Sequence, residues 1–344
     1  MMGGGCPKID KCPPFKDLWV NIVIQDYAGA SAADFVPHVI AGAADEGNGL
    51  KFPPKKPKQI FAAMGWESSV YTSISTYYPK PGVTWNPDID VTIGESPENF
   101  NFHAGHFPHK MEEFLYQPIP TKKKIYLAHT AFSHANKYNY LQFFPFTREQ
   151  YANKLDIAIK RLSQNTRKVD FNDNNNFQME RLINPLNNAS FNDYSMQGPK
   201  QLNFLKKYKF SLAFENSIHP DHITERFWIP IRVATIPIFL GTKNIKNYFP
   251  IENSYIDASE YTPEELAKKM LYLDGNDTAY EEYFTWKRKP LPDILKTLTM
   301  KSFRWNYCRL CDHYRNVYLR NESVDEVNYS EKILNLYKGT DEYP

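Results

Sequence analysis

Short apolar runs alternate with amphipathic stretches along most of the chain. Leu18–Ile24, Ile60–Gly65, Asp88–Gly94 and Lys122–Thr130 are each brief and rich in β-branched or aromatic residues, which predicts buried strands. Runs of this kind, continuous rather than alternating and separated by long connections, are those of a parallel sheet. Thr147–Ser163 reads as a helix, with Thr147 as its N-cap and Tyr151, Leu155, Ile157, Ala158 and Leu162 as an apolar stripe. The second half repeats the alternation. Strands are expected at Lys209–Asn216, Thr235–Gly241 and Ser254–Asp257, and a helix at Ile223–Ala234 kinked by Pro230. Thr262 and Glu265 form a capping-box pair at the start of another helix, followed by one more from Asp277 to Lys287. Strand–helix alternation in both halves predicts an α/β protein with two doubly wound sheets. The boundaries read as 1–160, 161–300 and a C-terminal tail at 301–344, with a polar, asparagine-heavy junction near 170–192.

Composition excludes several classes. The 344 residues are 42% hydrophobic and 23% charged, enough for sizeable cores and a solvated surface. A net charge of +2 gives no reason to expect nucleic acid. No apolar run approaches a bilayer span, and Met1–Asp10 lacks the apolar core of a signal peptide. Cysteines occur only near the ends, at Cys6, Cys12, Cys308 and Cys311. Zinc, free thiols and disulfides are the alternatives. Two disulfides would pin the chain's ends together and require an oxidising compartment. Acceptor sequons at Asn188, Asn276, Asn321 and Asn328 are compatible with that compartment.

The densest polar constellation is Phe214-Glu-Asn-Ser-Ile-His-Pro-Asp-His-Ile-Thr-Glu-Arg226, between a strand and a helix. Ligands of parallel sheets bind beyond the strands' C-terminal ends. A helix starting near Asp221 would turn the N–H groups of His222–Thr224 toward an anion such as a diphosphate. Arg226 would add a planar donor fork, Glu225 an acceptor for sugar hydroxyls, and Asn216 both a donor and an acceptor. The same residues also fit an N-capped helix with surface charges.

This stretch resembles the donor motif of the α1,3-fucosyltransferase family, Phe-Glu-Asn-Ser, a short turn, then Tyr-(Ile/Val)-Thr-Glu-Lys. Ile236–Gly241, Asn247–Pro250, Ser254–Asp257, Tyr283–Lys287 and Cys308-Arg-Leu-Cys311 follow the family's order. The resemblance implies a GT-B enzyme, two Rossmann-like domains facing across a cleft, with the acceptor site in the first and GDP-fucose in the second. It implies inverting transfer of L-fucose to the O3 hydroxyl of a GlcNAc in a glycan, of N-acetyllactosamine or N-glycan-core type, with no required cofactor and no essential metal. Carried over to the donor site are Asn216, His222, Glu225, Arg226 and, on a looser alignment, Arg148. His222 stands where the family has Tyr, and Arg226 where it has Lys. A catalytically inactive glycan-binding relative and a GT-B transferase for another nucleotide sugar are the alternatives.

An inverting transfer needs one general base. The family places a Glu in Glu-Ser-Pro after a strand of the first domain. Glu95-Ser-Pro97 has the tripeptide. Glu67 has the preceding strand and the spacing, and is the expected base, with Glu95 the runner-up. Asp88-Ile-Asp90 resembles a metal-binding Asp-x-Asp but lies in the wrong half for the donor. His103, His106 and His109 read as surface or acceptor-groove residues. The family's end-to-end pattern implies Cys6–Cys308 and Cys12–Cys311 bridges. It also implies a type II membrane protein of the Golgi lumen, whose anchor is absent from this chain.

Overall fold

The computed structural model describes residues 35–39, 60–64, 90–95, 102–108, 110–115, 118, 120–124, 126–130, 145–163, 202–203, 205–302 and 309. The chain divides into two units, one over Glu112–Asp293 and one joining the residues before it to those after it.

The larger unit is built on a parallel sheet of β5 (Tyr126–Thr130), β6 (Tyr208–Phe214), β7 (Ile236–Leu240) and β8 (Ile256–Asp257), in that spatial order. The strands of the other unit are β1 (Phe35–Val39), β2 (Ile60–Met64), β3 (Val91–Gly94) and β4 (Phe102–His103), again parallel and in sequence order. Both sheets are of the parallel α/β kind the alternation predicts. β5 pairs with β6, Tyr126 opposite Tyr208. β5 and the helix after it therefore belong with β6–β8, although the sequence reading placed them before a boundary at residue 160. A buried apolar strand looks the same whichever sheet it joins, so the run itself does not carry that choice.

Every residue of β6 and β7 is buried. Because side chains alternate across a sheet, Phe210, Leu212, Phe214, Ile236, Ile238 and Leu240 face one core. There they meet α1 (Arg148–Ser163) through Tyr151, Leu155 and Ala158, and α3 (Pro263–Gly275) through Leu266 and Met270. Phe239 points the other way, and its ring meets Phe227 of α2 (Glu225–Val233) at 5.2 Å. Helices therefore cover both faces of this sheet. α4 (Asp277–Glu282) is anchored beneath it by the Tyr280 hydroxyl, which donates to Lys209 O at 2.8 Å.

The local signals behave as expected, with exceptions. Thr147 caps α1, its hydroxyl accepting from Gln150 N at 3.2 Å while Gln150 Oε1 accepts from Thr147 N at 2.9 Å. Thr262 and Glu265 close the capping box of α3. Ile157, expected on the buried stripe of α1, is 64% exposed, and Ile159 takes the core position. One residue turns a helix by about 100°, so an apolar pair spaced by two falls on opposite sides of the stripe's edge. Two strands were not expected. β1 contains Pro37 and lies at the edge of its sheet among the described strands, where a missing donor is tolerated. β4 lies in a stretch read as loop. The strand expected at Leu18–Ile24 lies outside the described residues.

The tail returns to the smaller unit. Gly105 N donates to Lys301 O at 3.0 Å, and Arg309 Nη1 to His103 O at 2.8 Å. Cys6, Cys12, Cys308 and Cys311 lie outside the described residues. No helix among the described residues is long and apolar enough to cross a membrane.

Candidate functional site

β6 delivers its last apolar residue, Phe214, into the core, and the next three residues remain buried: Glu215, Asn216 and Ser217. A carboxylate in such a place must be hydrogen-bonded. Glu215 Oε1 accepts from Thr224 N at 2.8 Å, and Oε2 from the Thr224 hydroxyl at 2.7 Å. His222 Nε2 lies 3.9 Å and Arg226 Nη1 3.7 Å from the same oxygen, Oε2. Burial pushes the Glu215 carboxyl up from the usual carboxylate range, while His222, Arg226 and the Thr224 N–H oppose that rise.

Thr224 is the N-cap of α2. Its Oγ1 accepts from Arg226 N and from Arg226 Nη1, both at 3.3 Å. The Arg226 side chain is 20% exposed and its Nη1 also lies 3.7 Å from Glu225. A cation near a helix start is opposed by the helix dipole. Glu215 and Glu225 offset that here. His222 Nε2 donates to Asn216 Oδ1 at 2.9 Å, and Ser217 Oγ donates to the same oxygen at 3.3 Å.

The turn between β6 and α2 is latched to the loop after β7. Asp221 has φ 68°, a left-handed conformation that Asp tolerates better than most residues. Its N–H donates to Asn244 Oδ1 at 3.2 Å, and its Oδ1 accepts from Asn244 Nδ2 at 2.7 Å and from the Tyr248 hydroxyl at 2.6 Å. Gly241 ends β7 against the same cluster. A Cβ there would lie 2.9 Å from Glu215 Cγ and 2.5 Å from Phe239 Cζ, so only glycine fits without displacement.

The structure thus brings Asn216, His222, Glu225 and Arg226 together at the C-terminal ends of β6 and β7. Arg148 is buried at the start of α1, one turn before Tyr151, whose ring meets Phe214 edge-on at 5.6 Å. The helix start differs from expectation. α2 begins at Glu225, and two of the N–H groups expected to receive an anion are engaged within the protein, His222 N donating to His219 O and Thr224 N to Glu215. Buried Glu215 is a stronger claim on Thr224 than solvent, so the cap forms later than the polar run suggested. Four roles are absent from the sequence reading: Glu215 as a buried acceptor, Thr224 as the cap hydroxyl, the Asp221–Asn244–Tyr248 latch and Gly241 as the close neighbour of Glu215. Glu215 had a signal, since a carboxylate following an apolar strand without a break must be buried and partnered.

In the smaller unit Glu95 follows β3 directly and is buried, with His106 Nε2 at 3.7 Å. Glu67 lies beyond the end of β2, outside the described residues, as do Asp88 and His109. His103, read as a surface or acceptor-groove residue, is buried rather than at the surface, its ring edge-on to Phe107 at 5.6 Å. Strand β4, not foreseen, turns it inward. Of the sequons, Asn276 is described and caps α4, its Oδ1 accepting from Ala279 N at 3.1 Å. Among the described residues no cluster of three His, Cys, Asp or Glu is placed to hold a metal ion.

Comparison with known proteins places this geometry in context. Relatives named GDP-fucose protein O-fucosyltransferase 3 include that of Canis lupus familiaris, 39% identical over 116 residues, covering 33% of this chain and 24% of the relative. That of Homo sapiens is 39% identical over 99 residues, 28% of this chain and 21% of the relative. That of Bos taurus is 38% identical over 168 residues, 44% of this chain and 35% of the relative. The matched part is thus about a fifth to a third of these relatives' length. A crystal structure of an α1,3-fucosyltransferase with GDP-fucose aligns over 85% of this chain and 79% of its own, with 14% identity and a TM-score of 0.45. The family model of the C-terminal part of glycosyltransferase family 10 (fucosyltransferase) matches residues 121–329, which contain β5 to β8 and the whole cluster around Glu215. The chain belongs to glycosyltransferase family 10, the fucosyltransferases.

Proposed function

We propose that the chain is a GT-B fucosyltransferase that transfers L-fucose from GDP-fucose, with inversion, to a hydroxyl group. The observation that carries this reading is the position of Arg226. It is a partly exposed guanidinium at a helix start beyond the ends of β6 and β7, inside the stretch matched by the fucosyltransferase family. Arg226 and Arg148 would neutralise charge on the departing GDP, which is the role otherwise given to a metal ion. His222 and Glu225 would meet the nucleotide and sugar through hydrogen bonds, His222 with its ring oriented by Asn216. No essential metal is proposed.

Two acceptor classes divide the reading. The names of the relatives favour a protein hydroxyl. The family motifs in the sequence favour O3 of a GlcNAc in a glycan. In either case the general base is Glu67, beyond the C-terminal end of β2, with Glu95 beyond β3 as the alternative. Glu95 directly follows β3, which pairs in parallel with β2. The working compartment proposed is the Golgi lumen, with the chain's cysteine ends joined as Cys6–Cys308 and Cys12–Cys311.

Incubation with GDP-fucose and a panel of folded glycoprotein domains, unglycosylated domains and free oligosaccharides, read by mass spectrometry, tests this directly. A fucose increment on one class identifies the acceptor. No transfer and no GDP release with any of them would favour a glycan-binding relative instead. Glu67→Gln should abolish transfer and leave GDP binding intact; full activity in that variant with a dead Glu95→Gln would move the base to Glu95.

A further inference from the structure

The donor cluster is organised around one hydroxyl whose direction is set from behind. Thr224 Oγ has one proton and two lone pairs. It gives the proton to Glu215 Oε2 at 2.7 Å, and with it so committed, Oγ1 accepts from Arg226 N and Arg226 Nη1 at 3.3 Å. Glu215 also holds the backbone of the cap through Thr224 N. Glu215 is fully buried, and its Cγ lies close enough to Gly241 that a Cβ there would stand 2.9 Å from it. The carboxylate therefore has no access to a bound nucleotide. Its influence passes through Thr224 to the guanidinium of Arg226, whose side chain is partly exposed.

Resting on the donor-site reading above, we propose that Glu215 is a positioning residue for the nucleotide sugar, acting through the Thr224 hydroxyl to fix the cap of α2 and the Arg226 guanidinium in the orientation that receives a diphosphate. Both carboxylate oxygens are needed. Thr224 presents two donors to them, an N–H and an O–H, and a glutamine offers only one acceptor oxygen of the same shape. Glu215→Gln must therefore either oppose its NH2 to the Thr224 N–H or reverse the Thr224 hydroxyl, and in the second case one lone pair is lost to Arg226. The charge effect has the opposite sign. Removing a buried negative charge beside Arg226 and His222 makes the site more positive, which by itself would tighten an anion. A weaker nucleotide affinity in this variant thus reports lost positioning rather than altered potential.

The test is a double-mutant cycle read by calorimetric titration with GDP. Glu215→Gln should weaken GDP binding about tenfold, the scale of one hydrogen bond to a charged group. In an Arg226→Ala background the same change should add little, because the residue through which Glu215 acts is gone. In turnover, the KM for GDP-fucose should rise while the KM for the acceptor stays in place. A merely structural defect would instead reduce the active fraction, lowering kcat and leaving both KM values unmoved. Unchanged or tighter GDP binding in Glu215→Gln, or effects that multiply in the double variant, would overturn the proposal. If Glu215→Gln is not recovered folded, Thr224→Ala in the same cycle reads the same relay, and independence from Arg226 there overturns it equally. An Arg226→Ala variant that binds GDP normally would remove the donor-site reading itself, and this inference with it.

Discussion

Helix α2 carries an arginine near each end, and each meets a buried glutamate, but the two pairs are built differently. Near the C-terminal end, Arg232 Nη2 donates to Glu113 Oε1 at 2.8 Å, with both side chains about 5% exposed. The helix dipole favours a cation there. At the N-terminal end the dipole opposes Arg226, the carboxylate of Glu215 stands 3.7 Å away, and Thr224 lies between as a relay. The first pair is closed on itself and belongs to the architecture. The second holds a cation in an electrostatically unfavourable place on a side chain that is 20% exposed, and it is this pair that the proposed function assigns to a diphosphate. Distance and exposure, not residue type, separate the two pairs.

Breaking the closed pair should have the largest effect. Glu113→Ala strands the Arg232 charge in the core and should cost about 3–5 kcal/mol in denaturant unfolding. GDP affinity per folded molecule should stay unchanged, because Arg232 lies in the last turn of α2, at the end opposite Arg226. Next is Gly241→Ala, whose methyl must displace Glu215 or the Phe239 ring. Overpacking of this kind costs about 1–3 kcal/mol, and unlike Glu113→Ala it should weaken GDP binding as well. Tyr248→Phe removes one bond from the Asp221 latch. The expected loss is about 1 kcal/mol of stability, with a faster-cleaved 218–223 turn in limited proteolysis.

The smallest expected effect is a pH slope. Burial pushes Lys124 down to about 7, with Lys209 adding to the effect, and burial alone pushes Lys287 down to about 7, both from 10.5. Above pH 7 the unfolded chain therefore holds protons that the folded chain has released, so these groups make stability rise with pH from about 7 toward 10. Lys124 donates to Lys206 O, Tyr208 O and Thr235 Oγ1 at the start of the central strands. In Lys124→Met the slope of unfolding free energy against pH should flatten over that window.

The same contrast explains what the sequence made legible. Asn216, His222, Glu225 and Arg226 lie within a single strand–turn–helix passage, so their meeting follows from local structure and could be read from the order of residues. The caps at Thr147 and Thr262 were legible for the same reason. Glu215 with Gly241, Asp221 with Asn244 and Tyr248, and Glu113 with Arg232 meet only because of the order in which strands join the sheet. Periodicity carries no information about that order, and for the same reason it left β5 and α1 on the wrong side of a boundary. Pro37 hid β1, because a proline within a short run argues against a strand unless an edge position is already known.

The central claim is that Arg226 is kept for a diphosphate. Titration of GDP into the wild-type chain and the Arg226→Ala variant tests it most directly. The account predicts affinity weaker by about ten- to a hundredfold in the variant, measured per folded molecule. Equal dissociation constants for the two proteins would contradict it.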